Sequence, residues 1–285
     1  MTLLAVAVRG RGVVPPDDPV LHADDEALLR GRAAFETTRV YGGRPFRLDD
    51  HLVRLTESAA RIGLPPVEPV DCAALARDAL AASGAEDAVL RVYWTPGREG
   101  DGLPNALALV STLPDGLEKR RRRGIRLVAL PLGFGPDLRS VAPWMLGGVK
   151  STSYAVNMAA EAEAKRRGAD DALFLAEGDV VLEGPVTNIW WRRGATLYTP
   201  GTDLGILPGV TRATIFEEAD AAGYQVTEGA FTLEDLGGAD EAFTSSSVRE
   251  IVPVTAVNDL PIAYGRPGPA AIELQGRLRA RAGAG

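Results

Sequence analysis

Short turns separate most candidate strands of this 285-residue chain, and that spacing restricts its fold more than any other feature. "AAFETTRVY" (33–41) is rich in β-branched and aromatic residues, and Gly42 and Gly43 return it into "RPFRL" as a hairpin. "AVLRVYW" (88–94) and "NALALVSTL" (105–113) flank a loop rich in glycine and proline. Further on, "TNIWWRRGATLYTP" reads as a hairpin and "DALFLAEGDVVLEG" as two strands about a Glu-Gly-Asp turn. "EAFTSSSVREIVPV" reads as strand, loop and strand. Strands linked this tightly run antiparallel to their neighbours, which argues against a doubly wound parallel sheet.

Helical segments punctuate these strands. "DDHLVRLTESAARIGLPP" opens on acidic residues and stops at Gly63 and the prolines after it; "CAALARDALAASG" is a second amphipathic helix. "STSYAVNMAAEAEAKRRG", "VTRATIFEEADAAG" and "PAAIELQGRLRARA" follow, the last closing the chain. The expectation is an α+β protein of two domains: a small N-terminal one over 1–118, a linker over 119–124, and a barrel-like one over 125–285.

Composition removes several classes of function. A net charge of −7 argues against nucleic acid or an anionic membrane as the main partner, and no apolar run reaches the roughly 18 residues of a membrane span. The start "MTLLAVAVRGRG" lacks the order of a signal peptide and reads as a first strand. Cys72 is the only cysteine, which excludes an internal disulfide and fits a cytoplasmic protein. With only His22 and His51 beside it, no metal site is expected. The basic run "KRRRR" (119–123) is short and sits in an acidic protein, so it reads as a solvated turn.

Chemistry must then come from carboxylates, lysine or a borrowed cofactor. In "WMLGGVKSTSYAVNM", Lys150 stands between an apolar, glycine-bearing stretch and a helix, a setting that suits a partly desolvated, imine-forming amine. The alternative is a lysine at a helix start, where the helix dipole disfavours a cation. "GGVKST" fails as a phosphate-binding P-loop because Val149 precedes the lysine, and no G-x-S-x-G elbow is present. Glu183 follows an apolar strand and precedes Gly-Pro, at a pocket rim or simply in solvent. "ILPGVTRAT" (206–214) delivers Gly209, Val210 and Thr211 to a helix N-terminus, and "TSSSV" (244–248) strings four hydroxyls between two strands. Both suit an anion such as phosphate.

A lysine for an imine, a carboxylate for a ring nitrogen and two phosphate loops match the needs of pyridoxal 5′-phosphate (PLP). From "GRAAFETTRVYGGRPFRLDDHLVRL" to "SSSVREIVPV" the chain resembles the class IV aminotransferases. These are fold-type IV PLP enzymes, with a smaller N-terminal α/β domain and a larger C-terminal barrel-like α+β domain that binds PLP. The group holds D-amino acid and branched-chain aminotransferases, (R)-amine transaminases and 4-amino-4-deoxychorismate lyase. The resemblance implies that Lys150 holds PLP as a Schiff base and moves the proton. It implies that Glu183, in an E-x-x-x-x-N pattern with Asn188, keeps the pyridine nitrogen protonated. It places Arg54 of "DHLVRL", Val210, Thr211 and Ser247 on the phosphate; the pattern of residues alone makes Arg54 a surface helix residue. It also implies a homodimer acting on small-molecule amino and oxo acids. A mere carrier of the cofactor needs no electron sink, so Glu183 argues for an enzyme.

Substrate choice is read from fewer residues. The family's common G-D-G is "GRA" here, and Arg30 precedes it where many relatives carry an aromatic. Arg30 and Arg91 suit a substrate carboxylate or, alternatively, surface ion pairs. Tyr154, expected one helical turn beyond Lys150, reads as a pocket hydrogen-bonder or a core residue; Val248 joins the substrate contacts. Thr37 in "FETTR" stands where the lyases carry threonine, whereas Pro96 stands where lyases and D-transaminases often have arginine. "EIVPV" is closer to transaminases. The order of expectation is a D-amino acid transaminase, then the lyase, then a branched-chain enzyme.

Overall fold

The computed structural model describes residues 1–283, so the last two residues of the expected 125–285 domain lie outside the described residues. The chain divides into two compact units. One comprises Met1–Asp115 with Val149–Tyr154; the other comprises Gly116–Gly148 with Ala155–Arg281.

In the first unit the elements run β1 (Leu3–Val8), β2 (Gly12–Val14), α1 (Glu26–Arg30), β3 (Ala34–Tyr41), β4 (Arg44–Pro45), α2 (Leu48–Arg61), α3 (Pro69–Ser83), β5 (Ala88–Thr95) and β6 (Asn105–Ser111). The strands form an antiparallel sheet in the order β2-β1-β6-β5-β3-β4. Alternation along β3 and β5 turns Ala34, Val40, Leu90, Val92 and Trp94 toward α2 and α3, forming one core. The α2 helix begins with Asp49 and Asp50, which complement its positive N-terminal end, and buries His51, Leu52, Arg54, Leu55, Ser58 and Ala59. That spacing is one helical face. Full burial of Leu55 alone contributes about 2 kcal/mol.

The second unit continues with α4 (Leu117–Arg123), β7 (Ile125–Pro131), α5 (Leu138–Val141), α6 (Ala155–Arg166), β8 (Asp171–Leu175), β9 (Asn188–Arg193), β10 (Thr196–Pro200), α7 (Val210–Ala219), β11 (Gln225–Gly229), α8 (Leu233–Gly237), β12 (Glu241–Ser246), β13 (Glu250–Val257), β14 (Leu260–Pro261) and α9 (Pro269–Arg281). Its sheet runs β11-β10-β9-β12-β13-β7-β8, with β14 beside β13. Bridges from Leu175 to Val181 and from Val180 to Thr232 carry the β8 edge round toward the chain just after β11, giving the sheet its barrel-like curl. One face of the curl packs Ile125, Leu127, Ile189, Trp191 and Val252 together. On the other face Trp190, Phe243 and Ile251 meet α7 and α9. Neighbouring Trp190 and Trp191 thus serve opposite cores, as a two-residue strand period requires.

Four local readings change. The basic run is a helix, α4, and not a solvated turn: Leu117 and Arg121, one turn apart, are both buried. The second strand after the Glu-Gly-Asp turn is reduced to the two bridges at Val180 and Val181. Thr244, Ser245 and Ser246 belong to β12, leaving a shorter turn than the hydroxyl run suggests. Residues 150–154 precede α6, so Lys150 is not at a helix start.

Candidate active site

Candidate residues fall in both units. In the first, the backbone around Lys150 is extended and pairs with the start of β3. Phe35 N–H donates to Lys150 O at 3.1 Å, Thr152 N–H to Ala33 O at 2.9 Å, and Ser151 bridges Ala34. Lys150 N–H donates to Ser58 Oγ of α2 at 3.1 Å. A strand-like backbone held at both faces fixes the direction of the side chain. The Lys150 Nζ donates to Tyr154 Oη at 3.0 Å and lies 4.3 Å from the centre of the Phe35 ring. Tyr154 meets Phe35 edge-on at 5.1 Å, and Phe35 stacks on Tyr93 at 5.5 Å, so the amine rests on an aromatic wall. Tyr154 is therefore near the lysine without a shared helix.

Behind that wall lies a buried charge cluster. Glu36 points from β3 to α2, where Arg54 donates through Nε at 2.7 Å and Nη2 at 2.8 Å, a bidentate grip. His51 Nδ1 is 2.7 Å from the same carboxylate. Burial pushes the Glu36 carboxyl up, but the Arg54 charge and hydrogen bonds, with His51, overcome it and hold it down at about 2. Burial lowers the His51 imidazole, and the positive charges of Arg54 and Lys150 add to that against Glu36. A neutral His51 then donates its Nδ1 proton to Glu36. Arg54, which the pattern of residues without the resemblance makes a surface residue, is buried; the signal available was its place on the same helical stripe as Leu55 and Ser58. Glu36 was missed altogether.

In the second unit, Glu183 and Asn188 converge on one backbone position. Leu207 N–H donates to Glu183 Oε2 at 3.0 Å, and Asn188 Nδ2 donates to Leu207 O at 2.9 Å. The E-x-x-x-x-N spacing thus clamps the loop that leads into α7. Gly209 caps α7 without a side-chain hydrogen bond, and a Cβ there would run into Asn188 Oδ1. Glycine is required for that close approach. The first N–H groups of α7 lack helical acceptors and no acidic residue occupies its first turn, so this helix end could accept an anion; Val210 and Thr211, which begin it, are buried. Arg139 Nη1, 3.6 Å from Glu183 Oε1, is a residue the sequence reading missed.

The β12–β13 turn carries the remaining hydroxyl. Ser246 pairs with Glu250, leaving Ser247, Val248 and Arg249 to span the return, and Ser247 and Val248 are half-buried. Ser245 is instead used inside the sheet, accepting from Trp190 Nε1 at 3.0 Å.

The substrate-side candidates are less gathered. Thr37 and Arg91 are register partners on β3 and β5, both half-buried, beside the Phe35–Tyr93 pair. Arg91 Nη1 donates to Ser111 Oγ at 3.2 Å. Arg30 is exposed and donates to Glu99 at 2.7 Å, so in this chain it makes a surface ion pair. An apolar groove of about 520 Å³ between α2 and α3, lined by Leu52, Val53 and Val70, contains none of these residues. Among the described residues no group of three or more potential ligands could hold a metal ion, and no helix is long and apolar enough to cross a membrane.

Known proteins resemble this chain over most of its length. The amino-transferase class IV family model matches residues 33–257. The chain belongs to the amino-transferase class IV family. A bifunctional aminodeoxychorismate lyase / D-amino acid transaminase of Mycobacterium tuberculosis is 36% identical over 234 residues, covering 79% of this chain and 81% of the relative. The fold IV-transaminase CpuTA1 of Curtobacterium pusillum superposes with a TM-score of 0.85 at 33% identity, over 94% of this chain and 91% of its own. A hypothetical aminotransferase of Mycobacterium tuberculosis, bound to α-ketoglutarate and PMP, gives a TM-score of 0.92 at 31% identity over 97% and 98% of the two chains. This member of the family thus has the fold-type IV architecture and is a PLP enzyme. Its residues fit that cofactor: an amine on an aromatic wall, a carboxylate anchored by a backbone N–H and an arginine, and a helix N-terminus left open by glycine.

Proposed function

We propose that this class IV aminotransferase transfers the amino group of a small D-amino acid to a 2-oxo acid, with Lys150 holding the cofactor and carrying the proton. The observation that carries the reading is the Lys150 Nζ, held 3.0 Å from Tyr154 Oη against the Phe35 ring. A lysine so placed can take a proton from one carbon, share it with a phenol hydroxyl and return it to another. When bound, PLP supplies the electron sink for the charge left by that proton. Glu183 would hold the ring nitrogen in its protonated state, with Arg139 and the Leu207 N–H keeping the carboxylate oriented. Arg54, Val210, Thr211 and Ser247 would hold the phosphate. On the substrate side, Thr37, Arg91, Tyr154 and Val248 are the proposed contacts, and Arg30 joins them only by releasing Glu99.

The M. tuberculosis relative supports both this reading and a second one, because its name joins the two activities. Thr37 favours the second: release of pyruvate and 4-aminobenzoate from 4-amino-4-deoxychorismate. Exposed Leu28, Leu29 and Leu103 offer apolar surface for a second copy, in keeping with a homodimer. The test offers the purified PLP form D-alanine, L-leucine and aminodeoxychorismate in turn, following the cofactor spectrum and product release. D-alanine should drive the spectrum to the amine form fastest. Faster conversion with L-leucine would overturn the D-amino acid assignment, and turnover of aminodeoxychorismate alone would make the enzyme a lyase.

A further inference from the structure

The turn that presents Ser247 is closed by an unusual residue. Three-residue hairpin returns commonly place glycine in the left-handed conformation beside the turn. Here that residue is Glu250, at φ 58°, and it is fully buried. A glutamate held in this conformation stores strain that its surroundings must offset. They do so through three donors. Arg121 Nη2 lies 2.8 Å from Glu250 Oε2, Arg279 Nε donates to the same oxygen at 3.1 Å, and Gln275 Nε2 donates to it as well.

Arg121 also reaches the residue before it. Its Nε and Nη2 donate to Arg249 O at 3.2 and 3.1 Å. Arg249 is held at its other end, its N–H donating to Ser246 Oγ at 3.3 Å and its guanidinium pairing with Asp171 and Glu161. Both sides of Ser247 and Val248 are therefore pinned, from α4, α9 and the β8–α6 region. Arg121 is the buried member of the basic run, on the helical stripe with Leu117.

We propose that Arg121 and Glu250 are positioning residues for phosphate: their ion pair fixes the Ser246–Arg249 turn so that Ser247 meets the phosphate of the cofactor. The proposal rests on the reading of Ser247 as a phosphate contact. A purely structural pair would hold α4 and α9 on the sheet without distinguishing a phosphorylated ligand from one that lacks the group.

The experiment compares PLP with pyridoxal, which has no phosphate, by fluorescence titration of cofactor-free protein, with inorganic phosphate as competitor. Arg121→Met and Glu250→Gln should weaken PLP tenfold or more, change pyridoxal less than twofold, and weaken competition by inorganic phosphate. Glu250→Gly, which accepts the left-handed conformation but removes the anchor, should fold and show the same selective loss. If Arg121→Met does not fold, this glycine variant decides the matter alone. Equal losses for PLP and pyridoxal, or no loss for either, would overturn the proposal. Wild-type protein that binds PLP no better than pyridoxal would instead overturn the phosphate site itself, and the proposal with it.

Discussion

Glu36→Gln is the substitution whose cost the structure defines best. Glu36 is 2% exposed and Arg54 8% exposed at their side chains, and two hydrogen bonds of 2.7 and 2.8 Å join them. Glutamine keeps the shape and one acceptor, but presents an amide N–H₂ where a charged oxygen had faced Arg54 and His51. Removing one partner of a buried pair costs about 3–5 kcal/mol, because the other charge stays buried. Against a total of about 5–15 kcal/mol this is a large fraction. The assay is urea unfolding of cofactor-free protein, wild type against variant. Saturating PLP should restore part of the loss, since a phosphate at Arg54 replaces the missing anion; at a hundredfold excess over Kd the ligand adds about 2.7 kcal/mol. The pH dependence supplies an internal control. A carboxyl held at about 2 in the fold contributes stability above its ordinary value near 4.5, and that contribution disappears as pH falls from there toward 2. The variant should lack that acid-side decline. A loss below about 1 kcal/mol in cofactor-free protein would mean that Arg54 is not dependent on Glu36, and would refute the cluster as described.

Other substitutions separate the remaining roles. Glu183→Gln should keep PLP bound while slowing proton abstraction by orders of magnitude in single-turnover kinetics; rescue of its rate by excess PLP would contradict the assignment. Arg54→Ala should raise the PLP dissociation constant by about tenfold or more for one charge-assisted contact, read by equilibrium titration, and should also destabilise the cofactor-free fold by about 3–5 kcal/mol, because Glu36 then stays buried without its guanidinium. Gly209→Ala drives a methyl into Asn188 Oδ1 and should cost about 1–3 kcal/mol of stability together with PLP affinity, measured by thermal melts with and without the cofactor. His51, lowered by burial, should make the fold lose stability as pH falls below about 6.5, and His51→Asn should flatten that part of the pH profile.

Hairpins and helix stops were legible because each rests on residues close together in the chain. The "RPFRL" return, the α2 stripe and the glycine before α7 are local features, and the structure keeps them. Lys150 was misread as local structure. What holds it extended is a pairing with β3 and a hydrogen bond to Ser58, 92 positions away, and no periodicity reports such bonds. Glu36 was hidden in the same way: its acid sits on a strand, its partner on the following helix, and only the fold brings them together. Arg121 was concealed by its neighbours, since a run of five cations masks the one that shares a helical face with Leu117. Arg139 carried no signal beyond its basic side chain.

The proposed chemistry depends on one atom, the Nζ of Lys150. Borohydride reduction of the PLP-loaded protein, followed by proteolysis and mass mapping, reports which amine the cofactor joins. Attachment at Lys150, abolished in Lys150→Ala while that variant still binds PLP weakly, is the predicted result. A pyridoxyl label on any other lysine, or none in a protein that turns over its substrate, would contradict it.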